Sequence, residues 1–317
     1  RRHPAAGVAA LMSERAERGL VLVTGASSQI GVFLLPRLAE AGYRVHAISR
    51  QAGAKPLALS SGPVWVRPEE ALKGEKGGIS TATGLIAAGP PALTSRILEE
   101  NPGLTRVVQC TTTSILTKSR SGNANERELV NRISTEESRL KGLCAGHGIP
   151  LVILRPTMIY GCGMDRNLTR LWCWGNRTGF IPVASRSGGL RQPVHADDLA
   201  ALAARALETE TGGLLESAAC GGTTLAYRDM AAALAQCCRR TTRIIAVPAG
   251  LFAAAVQVAS WFGAGGLNPE MVRRQALDMV FEDTILRETL DYRPRPFRPS
   301  AQDISVPERL AAFQLPG

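Results

Sequence analysis

Lysine is scarce in this chain. Five lysines stand among 37 basic residues, so arginine carries nearly all of a formal net charge of +10. The arginines are scattered, with one looser cluster at Arg287, Arg293, Arg295 and Arg298. A nucleic-acid binder concentrates its basic residues on one face or arm. The spread here argues for a solvated basic surface with a few anion-binding arginines, and against a nucleic-acid partner. Tyrosine is rarer still, with only four. The seven cysteines are odd in number, form no CxxC pair and have no histidine at ligand spacing. That argues against a disulfide framework and against a metal site, and for a reducing, cytoplasmic compartment.

Long apolar runs are also missing. The first eleven residues contain none, no signal peptide is evident, and Met12 reads as the natural start, with 1–11 an upstream extension. Residues 246–266 are apolar, but Pro248, Gln257, Ser260 and several glycines interrupt them. They read as a buried or cleft-lining helix, and no stable membrane insertion is expected.

What the chain does have is an ordinary globular balance, 45% apolar and 20% charged, and enough length for one sizeable core. Short apolar runs at 20–23, 44–49, 64–66, 84–88, 106–110 and 151–154 are bounded by Gly, Pro or polar residues and read as strands. Helical patterns at 31–41, 91–100 and 124–147 separate several of them. This alternation predicts an α/β fold with a parallel sheet and right-handed crossovers. Further helices are expected at 197–208, 227–239 and 269–278. The expected organisation is a nucleotide-binding domain over 12–165 whose core continues into the C-terminal half. A smaller, mainly substrate-binding lobe follows over 166–300, then a Pro- and Arg-rich tail over 301–317.

The clearest motif is Val23-Thr24-Gly25-Ala26-Ser27-Ser28-Gln29-Ile30-Gly31, set between the first strand and the first helix. That is where a dinucleotide fingerprint lies in a Rossmann, doubly wound fold. Gly25 allows the tight turn and Gly31 lets the helix pack closely. Amides from Ser27 to Gly31 can face a pyrophosphate at the helix start. Ser28 stands where a glycine is usual and restricts how near the phosphates come. Arg50 ends the second strand, where a carboxylate would hold the 2′-hydroxyl of NAD; an arginine suits the 2′-phosphate of NADP instead. NADP is therefore the expected cofactor, with NAD the alternative. Ala87, Ala88 and Pro156, at the ends of later strands, are expected to line the same site.

These residues, with Val107-Val108-Gln109-Cys110-Thr111-Thr112-Thr113-Ser114, Ile153-Leu154-Arg155-Pro156-Thr157-Met158-Ile159-Tyr160-Gly161, Arg191-Gln192-Pro193-Val194-His195-Ala196-Asp197-Asp198 and Asp291-Tyr292-Arg293-Pro294, resemble the extended short-chain dehydrogenase/reductase superfamily, in its NAD-dependent epimerase/dehydratase group. The likeness covers most of the chain. It implies general acid–base chemistry beside a hydride donor, run by a Tyr-x-x-x-Lys pair and a Ser or Thr. Thr113, with its neighbour Thr112, matches the Ser/Thr position. The Tyr and Lys are absent: no tyrosine lies between Thr113 and Pro150. Counting back from the family's helix acid puts Glu128 or Leu129 at the Tyr position and Arg132 or Ile133 at the Lys position. Glu128 and Arg132 are the catalytic candidates, although a plain i, i+4 salt bridge is their simpler meaning. An arginine stays charged and is no titrating donor. Lys118 reads as a loop lysine, His195 as a satisfied, partly buried histidine, and Asp197 and Asp198 as caps of the next helix.

By the same resemblance, Arg191 and Asn167 are expected to hold the phosphates of a nucleotide-sugar-like substrate. Trp172 and Trp174 suit either a stacking role or the core. Three readings result: an NAD(P)-dependent oxidoreductase or epimerase on such a phosphate-bearing small molecule; a non-catalytic NADP-binding sensor or scaffold; and a reductase on an apolar substrate. Each leaves room for a homodimer.

Overall fold

The computed structural model describes residues 18–51, 63–72, 81–261 and 268–305. The expectations for Met12, for the extension 1–11, and for 306–317 of the tail lie outside the described residues. In chain order the elements are β1 (Arg18–Thr24), α1 (Gln29–Glu40), β2 (Tyr43–Ile48), β3 (Val64–Val66), α2 (Pro68–Leu72), β4 (Ala82–Ala87), α3 (Pro91–Glu100) and β5 (Arg106–Cys110). Then come α4 (Ser114–Thr117), α5 (Ala124–Gly146), β6 (Leu151–Pro156), β7 (Ile159–Tyr160), α6 (Leu168–Thr178), β8 (Phe180–Ala184), β9 (Leu190–Arg191) and β10 (Val194–His195). The last are α7 (Ala196–Glu208), β11 (Leu214–Ala219), β12 (Leu225–Ala226), α8 (Tyr227–Gln236), β13 (Arg243–Val247), α9 (Ala249–Trp261), α10 (Pro269–Arg274) and α11 (Thr284–Leu290).

Seven strands form one sheet in the order β11-β6-β5-β4-β1-β2-β3, every neighbouring pair parallel. The central strands β1, β4, β5 and β6 are buried on both faces along most of their length, which is why they read as near-continuous apolar runs rather than alternating ones. One face is covered by α1 and α7, whose Leu34, Leu35, Leu38, Leu199 and Ala203 pack on Val21, Val23 and Ile86. The other is covered by α3 and α5, through Ile97, Leu98, Leu140 and Cys144. This is the predicted doubly wound sheet. The strand order reverses between β1 and β4, and a crevice opens beyond the carboxyl ends of strands at such a point. Three two-stranded sheets, β7 with β10, β9 with β12 and β8 with β13, and helices α6, α8, α9 and α10 form the remaining packing units.

Local chemistry sets the helix starts. Ser28 caps α1 by accepting from the Gly31 amide at 3.2 Å, Asn123 caps α5 through Glu126 N at 3.1 Å, and Pro91 begins α3 at a position that tolerates proline. Two helices end earlier than expected. Helix α8 stops at Gln236 and α10 at Arg274; in the latter, Gln275 turns its side chain to accept from the Ala184 amide at 2.7 Å instead of prolonging the helix. The segment expected to be a buried or cleft-lining helix is α9, and the buried alternative is corrected. Val256, Phe252 and Ala253 pack on Ala184 and Val272, but Leu251 and Val258 are 67% and 45% exposed. Apolar sequence gave no periodicity from which to read its outward face. Among the described residues no helix is long and apolar enough to cross a membrane.

Candidate functional site

The first βα turn lies at the reversal point. Gly25 has φ +64°, and a Cβ there would stand 2.6 Å from the Ala88 carbonyl, so only glycine lets the loop meet the end of β4. Gly31 is equally confined, its virtual Cβ 2.3 Å from the Ala26 oxygen. Ser27 and Ser49 share a hydroxyl hydrogen bond at 2.8 Å that ties the loop to the end of β2. Next to Ser49, Arg50 is exposed and makes no ion pair among the described residues.

Ser28 also acts on the helix start itself. Its Oγ occupies the Gly31 amide, removing one donor that a glycine would have left open. The amides of Gln29 and Ile30 have no intrachain acceptor among the described residues, and Gln29 Oε1 and Thr24 Oγ1 are buried without partners. Two open amides at the start of a twelve-residue helix, beside a glycine cradle, fit the pyrophosphate of a dinucleotide. Ala87 ends β4 and Ala88 donates its amide to the Thr24 oxygen at 2.9 Å, which places both on the crevice wall.

Thr113 follows β5, is 8% exposed, and donates its hydroxyl to the Pro156 carbonyl at 3.0 Å. The proton a substrate oxygen would need is thereby engaged. Thr112, half-buried, accepts from the Ser114 amide at 3.1 Å and keeps its own proton.

Helix α5 decides between the two alignments that the sequence left open. Its buried residues are Val130, Glu137, Leu140 and Cys144. Glu137 is the acid that faces the sheet, paired with Arg155 of β6 at 2.7 Å. At about 100° per residue, Glu128 stands on the side of the helix opposite Glu137, and Arg132 is turned well away. Both are exposed, and among the described residues no ion pair links them. Leu129, 47% exposed, and half-buried Ile133 flank the inward stripe instead. Glu128 and Arg132, expected at the catalytic positions, thus lie off the buried stripe of the helix.

No tyrosine compensates. Tyr43 donates to Glu208 at 3.2 Å, Tyr160 packs edge-on against His195 and Phe297, Tyr227 lies under the Arg191 guanidinium, and Tyr292 donates to the Cys220 carbonyl at 2.7 Å. Burial pushes the hydroxyls of Tyr160, Tyr227 and Tyr292 up, Tyr227 to about 12.

Of the two residues expected to hold a substrate's phosphates, Arg191 is 3% exposed and donates to three carbonyls: Leu190 and Leu277 at 2.7 Å and Arg274 at 2.5 Å. In this geometry it holds the end of α10 rather than an open anion site. Asn167 is exposed and its side chain caps nothing. Asp165 does that work, accepting from the Asn167 and Thr169 amides at 2.9 and 3.1 Å. An aspartate ahead of a helical run is the signal that could have found it. Trp172 packs against the cluster of Leu168, Met230 and Leu234 and donates to the Cys237 carbonyl at 3.3 Å, whereas Trp174 is 48% exposed.

His195 is buried as expected. Its Nδ1 accepts from the Asp197 amide at 3.1 Å and its Nε2 meets Asp303 at 3.3 Å. That makes His195 the cap of α7 and corrects the assignment to Asp197 and Asp198. These aspartates instead pair with Arg37 of α1 and with Arg295. Lys118, Ser121 and Arg274 converge on Glu126 at the start of α5. Burial alone would raise that carboxyl; the hydrogen bonds from Arg274 and Ser121 and the charges of Lys118 and Arg274 outweigh it and hold the group at about 2. The seven cysteines are all free thiols, and among the described residues no cluster could hold a metal.

The family model described as NAD dependent epimerase/dehydratase family matches residues 21–71, which contain the loop and Arg50. Protein y4nG of Sinorhizobium fredii is 27% identical over 148 residues, which is 47% of this chain and 37% of y4nG, so the match spans about a third of that relative's length. Among solved structures, UDP-glucose 4-epimerase from Thermotoga maritima with UDP-glucose gives a TM-score of 0.64 at 14% identity, covering 90% of this chain and 97% of that one. WbmF of Bordetella bronchiseptica in complex with NAD+ gives 0.64 at 16%, covering 93% and 92%. UDP-N-acetylglucosamine 4-epimerase from Bacillus cereus gives 0.63 at 12%, covering 92% and 96%. Over residues 21–71 this chain matches the NAD dependent epimerase/dehydratase family, and as a whole it shares the fold of these epimerase structures.

Proposed function

We propose that the chain binds NADP in the β1–α1 crevice and is an oxidoreductase or epimerase-like protein for a phosphate-bearing, nucleotide-sugar-like substrate. The observation that carries the cofactor half is the open start of α1. Among the described residues the Gln29 and Ile30 amides have no acceptor, and they stand beside Gly25, where a side chain would strike Ala88. Arg50, exposed and without an ion pair among the described residues, stands beside the Ser27–Ser49 bond and supports NADP over NAD, since a guanidinium pairs with a 2′-phosphate where a carboxylate would repel it. Ala87, Ala88 and Pro156 would line the nicotinamide side, and the bound cofactor would supply hydride transfer. Thr112 would donate to a substrate oxygen. The fold shared with structures of UDP-sugar epimerases supports the substrate class.

A second reading, a non-catalytic NADP-binding sensor or scaffold, is favoured by one observation. Leu129 and Ile133 flank the inward stripe of α5, and neither can move a proton.

Titration of the full chain with NADPH and NADH, followed by nucleotide fluorescence and melting temperature, tests the cofactor site. A ligand that binds only the folded state raises the melting point. NADPH binding that Arg50→Ala weakens supports the proposal, and no response to either nucleotide overturns it. Turnover of UDP-sugars with bound cofactor then separates the enzyme from the sensor.

A further inference from the structure

Strand β5 runs Arg-Val-Val-Gln-Cys, and its glutamine is fully buried. An amide in that position costs free energy unless each of its polar atoms finds a partner, and an apolar residue would fill the space without that demand. The partners of Gln109 are specific. Its Nε2 donates to the carbonyls of Cys110 at 2.9 Å, Gly89 at 3.0 Å and Ala87 at 3.3 Å. Its Oε1 accepts the hydroxyl of Thr94 on α3 at 2.6 Å, and Thr94 is fully buried as well. Two of the three carbonyls belong to the turn that leaves β4. That turn is the wall against which the phosphate loop rests. The Ala88 amide bonds to the Thr24 oxygen at 2.9 Å, the virtual Cβ of Gly25 falls 2.6 Å from the Ala88 carbonyl, and that of Gly89 falls 3.2 Å from Thr24 Oγ1.

We propose that Gln109, supported by Thr94, is a positioning residue for the dinucleotide site. It holds the Ala87–Gly89 turn against Gly25 and so sets the width of the crevice where β1 and β4 diverge. The inference rests on the dinucleotide reading of that crevice. Gln109 touches no ligand itself; it acts through backbone carbonyls, as buried groups behind a binding site do when they fix the geometry of those in front.

Two readouts on the full-length chain test it, using Gln109→Leu, Thr94→Val and Thr94→Ser. The first is the NADPH dissociation constant by fluorescence, well below each variant's own melting temperature. Gln109→Leu is expected to weaken binding by about tenfold, the size of one lost hydrogen bond. Thr94→Val is expected to weaken it less, and Thr94→Ser, which keeps the hydroxyl, to bind as the parent does. A lowered melting temperature with an unchanged dissociation constant would overturn the proposal, because that is all a purely structural amide would do. The second is amide hydrogen exchange over residues 24–31 and 87–90 without nucleotide, expected to quicken in both segments in Gln109→Leu and in Thr94→Val. Should the parent chain bind no NADPH, the functional reading fails and exchange alone decides the positioning role. Unchanged exchange in both segments would overturn it. Thr94→Val serves if Gln109→Leu does not fold.

Discussion

The Glu126 carboxylate takes two hydrogen bonds from the Arg274 guanidinium, at 2.7 and 2.9 Å, and these join the first turn of α5 to the last turn of α10. The two residues are 148 positions apart and both side chains are largely buried.

This pair makes stability depend on acidity in a defined direction. The folded Glu126 value, about 2, lies below its ordinary 4.5, so the contribution is complete above about pH 4.5 and is lost as pH falls toward 2. Glu126→Gln is expected to lower stability by roughly 1–3 kcal/mol at neutral pH. The gap between parent and variant melting temperatures should close across that acid window. A gap that stays constant would show that another group supplies the stability.

Gly25→Ala is expected to destabilise the fold by roughly 1–3 kcal/mol, because it combines left-handed φ with a Cβ 2.6 Å from a backbone carbonyl that cannot yield cheaply. NADPH binding should vanish with it. Denaturant unfolding and nucleotide titration check the two effects, and a variant as stable and as avid as the parent would refute the cradle.

Glu128→Ala and Arg132→Ala should each leave NADPH affinity and any turnover unchanged, with stability within about 0.5 kcal/mol of the parent. Both side chains are exposed and directed away from the sheet. A large fall in turnover in either variant would restore them as catalytic candidates.

Tyr292→Phe removes a hydroxyl that donates to the buried Cys220 carbonyl at 2.7 Å. The expected cost is about 1 kcal/mol, since a buried acceptor is left unpaired. Calorimetry should show a lowered melting temperature, with NADPH affinity retained because the hydroxyl bonds to the Cys220 carbonyl and not to the loop.

The parallel sheet, its strand runs and the glycine loop were legible in the sequence because each depends on local pattern. Strands buried on both faces read as apolar runs, and Gly25 and Gly31 announce a turn that no other residue tolerates. The helix face was not legible at α5, where shifting the alignment by one residue turns a side chain by about 100°. Only the buried pairing of Glu137 with Arg155 identified which glutamate faces inward.

The same division holds across the chain. By itself the sequence determined the α/β class, the place of the phosphate loop, the basic residue after β2 and the absence of a Tyr-x-x-x-Lys pair, all set by residue identity and near neighbours. The tertiary structure decided what long-range partners control. Arg191 spends its donors on carbonyls up to 86 residues away, and His195 caps α7 while meeting Asp303 of the C-terminal segment. Asp197 and Asp198 are drawn from capping to Arg37 and Arg295. A hydrogen-bonding group goes to whichever partner burial brings within reach, and that choice is made only when distant segments pack.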